Sequence, residues 1–322
     1  MENFDQTSIQ LITSYSNWSE KGVDKALKDH VYNDLPSWKG FLRLLFLALG
    51  VGFTTAGIIF FFAYNWADLH KFVKIGIMEG LVVITTLIIV LTSWKPMVKN
   101  IILTGTTFLV GGMIAVFGQI YQTGANAYDF FLGWTIFVTL WVIITDFAPL
   151  WLTYLTLINT TIVLYSMQVA HDWSMIFICT LLFCLNTVFL ISFIWLSDYK
   201  NMITVPAWFT NLIALAAVSF STLGITGGIF RDHRDYLTVL VLITAAFYVA
   251  GVFYAFKTKS RFYLSIIALS VIVMINGLLI KTSSNEGMML FVTLFNIVSV
   301  TLVIYQLIAI QKKWDYETRA GN

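Results

Sequence analysis

From residue 41 onward the chain repeats one pattern: an unbroken apolar run of roughly twenty residues, then a short break carrying charge or proline. A helix needs about 20 apolar residues to cross a hydrocarbon core roughly 30 Å thick. The runs predict ten transmembrane helices, over 41–64, 72–93, 100–118, 130–146, 149–168, 173–196, 206–228, 236–256, 262–280 and 288–310. Within each run the apolar residues are continuous rather than alternating, which excludes spanning strands. The expected fold class is all-α, a polytopic integral membrane protein. Only Phe147 and Ala148 separate the fourth run from Pro149, a break suited to a tight helical hairpin.

Residues 1–40 are the one sizeable polar stretch. Thr7 with Gln10 resembles a capping box that opens a short helix through Ile9, Leu11, Ile12 and Tyr15. A second helix is expected from Ser19 to about Asn33, with Val23, Ala26, Leu27 and Val31 at helical spacing. Pro36 then breaks the helix before Trp38. This head is too small for a core of its own. It lies on the membrane surface, packs on cytoplasmic loops, or binds a protein partner. Residues 311–322 form a polar tail. No cleavable leader is expected, because a polar segment with both charge signs precedes the first apolar run.

Composition agrees with lipid as the surrounding medium. Of 322 residues, 58% are hydrophobic and 11% charged, where a soluble domain carries roughly 25% charged residues. A net charge of +2 is too small to imply a nucleic-acid partner. Cys179 and Cys184 are five positions apart on one predicted helix. That puts them about 140° apart and their Cα atoms near 8 Å, too far for a disulfide. Trp38, Trp66, Trp94, Trp151, Trp173, Trp195, Trp208 and Trp314 fall close to predicted span ends, where an amphipathic ring favours the headgroup level.

Ten spans place both termini on one side. With that side cytoplasmic, 14 of the 19 basic residues lie inside and five, Lys71, Lys74, Arg231, Arg234 and Lys281, outside. The positive-inside rule therefore favours cytoplasmic termini. Two sets of five spans could form an inverted repeat, but the best motif of the first half has no counterpart in the second.

Three places depart from an apolar or interfacial pattern. Asn65-Trp66 closes the first span, where Asn can cap the helix and Trp anchor it. Glu79 falls about two turns inside the second span. Intramembrane carboxylates are expensive and normally face a protein interior or a hydrated cavity, so Glu79 is either a proton or cation site or a hydrogen-bonded packing group. The third is the run from Gly118 to Asp129, nearly chargeless and rich in amides, with Gln119 and Gln122 on one helix face. It reads as a re-entrant or cavity-lining piece, or as a plain external loop. Gly111, Gly112 and Gly118 beside it would allow close approach of another backbone.

Weaker candidates are Asn159, Asn186, Asn276 and Asn296, which interhelical hydrogen bonds would explain, and the charged turn Arg231–Asp235. The four histidines lack paired-ligand spacing, so neither a metal nor a cofactor is expected. No nucleophile elbow, zinc motif or phosphate loop occurs, so no catalytic residue is assigned and an enzyme is disfavoured.

The helical head, the span closing in Gly57–Trp66, and Gly118-Gln119-Ile120-Tyr121-Gln122 followed by Trp134 together resemble the bacterial membrane proteins grouped as domain of unknown function 2157. The resemblance covers roughly residues 1–170. It implies a bacterial inner-membrane setting and no known activity. The expected function is transport or sensing of a small solute or ion. Its polar site comprises Glu79, Gln119, Gln122 and Asp129, with Tyr121, Trp134 and Trp141 as walls and Asn65 and Trp66 as anchors. Glu79 and Gln119 should fall at comparable depths. The alternative is a non-catalytic scaffold whose head docks a partner and whose amides are interhelical glue.

Overall fold

The computed structural model describes residue 13 and residues 19–30, 35–64, 69–121, 124–198, 205–231, 235–282 and 287–320. Among the described residues every regular element is an α-helix. They are α1 (Glu20–His30), α2 (Leu35–Tyr64), α3 (Lys71–Leu91), α4 (Pro96–Tyr121), α5 (Ala127–Ile144), α6 (Ala148–Gln168), α7 (Met175–Asp198), α8 (Ala207–Ile229), α9 (Leu237–Thr258), α10 (Arg261–Thr282) and α11 (Gly287–Ala320). The last ten are long and apolar enough to cross a bilayer. The protein is a polytopic all-α membrane protein. The first expected head helix, apart from Thr13, lies outside the described residues.

Proline explains the helix starts. All four prolines sit at one: Pro36 is the second residue of α2, Pro96 the first of α4, Pro149 the second of α6, and Pro206 caps α8. The ring fixes a helical φ and the missing N–H would be unsatisfied there anyway. Pro36 therefore opens α2 instead of ending a helix before Trp38, and α2 begins six residues ahead of its apolar run. At the other end, α11 continues helically to Ala320 through most of the expected tail.

The chain forms two compact units, Met1–Val116 and Phe117–Asn322, with the division inside α4. In the first unit, α4 supplies most of the core through Ile101, Leu103, Leu109 and Val110. Its glycines admit neighbouring side chains. A methyl group at Gly105 would collide with Val51 Cγ1, and one at Gly112 would come within 2.8 Å of Met78 Cε. Gly118 has open space around it, so the glycines seat side chains of α2 and α3 rather than a second backbone.

In the second unit, α8 is central. Its small residues Ala214, Ala217, Ser221, Gly224 and Gly228 are buried, which lets α7 and α9 approach closely. A methyl at Gly224 would meet Cys179 Cβ at 2.7 Å and Leu240 Cδ2 at 2.6 Å; one at Gly228 would meet Leu237 Cδ1 at 2.8 Å. Phe209, Ile213, Tyr248, Ile266 and Ile267 extend this core toward α9 and α10. Cys179 is buried, Cys184 exposed, and both are free thiols.

Candidate functional site

Helix α3 fixes where Glu79 stands in the first unit. Lys74, Met78 and Val82 recur every four residues and form the buried side of the helix. Five residues beyond Lys74, Glu79 is turned about 140° from it and is exposed on the unit's surface. It makes no hydrogen bond or ion pair among the described residues of its unit. The buried charged residue of this helix is Lys74, 7% exposed in the first turn. Sequence reading used Lys74 only to count charge across the membrane.

The remaining described site residues belong to the second unit. Gln119 and Tyr121, near the end of α4, are exposed. Gln119 has no hydrogen-bond partner among the described residues of its unit, while the Tyr121 ring lies 4.5 Å from that of Phe117. Asp129 has a structural task. Its carboxylate accepts the Asn126 backbone N–H at 3.0 Å, closing the first turn of α5. The backbone N–H of Tyr128 donates to Gln168 Oε1 at 3.0 Å, which ties the start of α5 to the end of α6. Trp134 and Trp141 are half-buried; Trp134 packs edge-on with Phe130 and Trp141 with Phe137. Asn65, Trp66 and Gln122 lie outside the described residues, as do Asp232, His233 and Arg234 of the charged turn.

Four asparagines of the second unit form two reciprocal pairs. Asn186 Nδ2 donates to Asn159 Oδ1 at 2.7 Å, and Asn159 Nδ2 returns a bond to Asn186 Oδ1 at 3.3 Å. Asn276 and Asn296 make the same reciprocal pair at 2.9 and 3.1 Å. The interhelical reading of these four asparagines holds. A cluster that sequence reading passed over joins α8, α9 and α10: Tyr248 Oη is within hydrogen-bond reach of Ser221 Oγ at 3.2 Å and also of Ser270 Oγ, which bonds Thr222 Oγ1 in turn. The small-residue face of α8, on which Ser221 sits, was the legible clue.

Residues 19–151 match the family described as "Predicted membrane protein (DUF2157)". No curated protein and no solved structure matches the chain. The DUF2157 match is narrower than the 1–170 expected, ending at Trp151 in the first turn of α6. Glu79, Gln119, Gln122, Asp129, Trp134 and Trp141 all fall within it, whereas the asparagine pairs and the hydroxyl cluster lie beyond.

Among the described residues, the cavities of the second unit include one of about 600 Å³ and one of about 440 Å³, both outside the segment that matches DUF2157. The larger lies among α8, α9 and α10, with Thr244 and Tyr248 on its wall and Lys281 and Thr282 at one end. Thr244 Oγ1 is buried without a hydrogen-bond partner. The smaller lies among α7, α8, α9 and α10. Neither includes a residue of the sequence-predicted site. Among the described residues no group of three His, Cys, Asp or Glu could hold a metal ion.

Proposed function

We propose that the protein is a bacterial inner-membrane protein, with cytoplasmic termini, that transports or senses a small solute or ion, and that Glu79 is its titratable group. One contrast carries this reading. A polar group whose task is to hold helices together has a partner, as Asn159, Asn186, Asn276 and Asn296 do. Glu79, two turns inside α3, has none among the described residues of its unit. An unpaired carboxylate at such depth is several kcal/mol less stable than an apolar residue, roughly 2.5–3.5 kcal/mol on insertion scales for Asp at a helix centre. A functional demand gives a physical reason to carry it. Gln119 and Gln122 are the corresponding hydrogen-bonding groups of the second unit, with Tyr121, Trp134 and Trp141 as apolar walls. Asp129 holds the start of α5, and the anchor role of Asn65 and Trp66 is part of the proposal.

The test uses the full chain in proteoliposomes under an imposed pH gradient, with a trapped pH-sensitive dye. Wild type should dissipate the gradient faster than protein-free vesicles, and Glu79→Gln should remove most of the difference. Wild-type rates in Glu79→Gln, or no difference between wild type and empty vesicles, would sink the reading. The scaffold alternative draws on α1, whose exposed side carries Lys21, Asp24, Lys25 and Lys28. It predicts that removing residues 1–36 abolishes copurification of a partner while leaving the gradient assay unchanged.

A further inference from the structure

The turn between α9 and α10 carries three basic residues, Lys257, Lys259 and Arg261, within five positions. Only Lys259 and Ser260 lie between the helices, and Lys259 adopts the left-handed conformation (φ 51°) that closes α9, its N–H bonded to the Ala255 carbonyl. Two of the three cations are engaged by the end of α11. Lys259 Nζ lies 3.8 Å from Glu317, and the Arg261 guanidinium donates to Gln311 Oε1. The buried Trp314 ring packs edge-on to Phe256 at 5.9 Å and holds α11 against this turn.

Lys257 is different. It is exposed and has no hydrogen bond or ion pair among the described residues. It stands at the rim of the 440 Å³ cavity. Below it the walls are almost wholly apolar, formed by Ile191 and Ile194 of α7, Ala214 of α8 and Ala250 of α9. Trp195 and Tyr254, side chains with an apolar body and a polar tip, border the same space. The volume is in the range of small-molecule sites, roughly 300–1,000 Å³. A cation and amphipathic rings above an apolar slot between helices match an acyl chain below and an anionic headgroup above.

We propose that this cavity is a site for an anionic phospholipid of the surrounding bilayer, with one acyl chain in the slot and the phosphate on Lys257. The clamp of α11 on Lys259 and Arg261 leaves Lys257 as the cation of this turn that faces the slot, so the site selects charge with a single lysine. A zwitterionic lipid offers the same chain but a neutralised phosphate, and binds less tightly.

The test is native mass spectrometry of the purified full chain with added palmitoyl-oleoyl phosphatidylglycerol or the matching phosphatidylcholine. Wild type should retain phosphatidylglycerol with the lower dissociation constant. Lys257→Gln should raise that constant about fivefold, the effect of one lysine near an anionic headgroup, and leave phosphatidylcholine unchanged. Ala250→Phe, a larger side chain in the slot at an exposed position, should weaken both lipids and keep the wild-type melting midpoint. Lys281→Gln, at the other cavity, should not alter the tightest phosphatidylglycerol constant. Equal affinity for the two lipids in wild type would overturn the proposal. So would wild-type behaviour of both Lys257→Gln and Ala250→Phe, an equal loss in Lys281→Gln, or full displacement of the lipid by soluble glycerol phosphate.

Discussion

The two units differ in the polar residues they place inside predicted spans. In the second, asparagines stand in reciprocal pairs and hydroxyls are linked across three helices. In the first, the carboxylate farthest into a span, Glu79, makes no hydrogen bond or ion pair among the described residues of its unit and is turned about 100° from the packed Met78 and about 60° from Val82. Hydrocarbon removes water as a competing partner, so a paired amide holds helices together and an unpaired carboxylate is a standing cost. The comparison separates amides and hydroxyls bonded across helices from a carboxylate that the proposed function assigns to a titratable site.

The strongest way to break this comparison is steric. Gly224→Leu puts a branched side chain where even a methyl meets Cys179 Cβ at 2.7 Å, and should destabilise the protein by about 1–3 kcal/mol or more. Gly80→Leu, beside Glu79 with nothing within 4 Å, should stay within about 0.5 kcal/mol of wild type. Thermal melting in detergent reads both. A large loss at Gly80 and none at Gly224 would reverse the packing contrast.

Next in size is the asparagine pair. Asn186→Leu leaves Asn159 Oδ1 without its donor, although Asn159 Nδ2 keeps its bond to the Leu155 carbonyl, and should lower stability by about 1–2 kcal/mol. Adding Asn159→Leu should restore part of that loss. Tyr248→Phe removes the hydroxyl common to Ser221 and Ser270; about 0.6–1.7 kcal/mol is expected, with no change in the gradient assay. Glu79→Gln should be the mirror image, a change in flux with stability held within about 0.5 kcal/mol. If its melting midpoint fell as far as that of Asn186→Leu, Glu79 would be a packing group after all. The smallest effect is expected at the exposed Lys28–Asp24 pair of α1, 2.8 Å apart and four residues along the helix. Lys28→Ala should cost about 0.3–0.5 kcal/mol, less at high salt.

The sequence by itself determined the medium, the helical class and the repeat of ten crossings, because a continuous apolar run of about twenty residues has few other stable forms. Proline marked the helix starts for the same local reason, although only the structure revealed that Pro36 opens α2. The asparagine pairs were legible as a type of interaction, since an amide in hydrocarbon must find a partner. Which asparagine met which was a matter of packing. Nothing local to α3 said that Lys74 would be buried and Glu79 exposed, or that Asp129 would be committed to a helix cap. The hydroxyl cluster, and the slot under Lys257, join residues from helices far apart in the chain. Tertiary structure alone decided them, because the side that a uniformly apolar helix presents to its neighbours is set by shape, which hydropathy does not record.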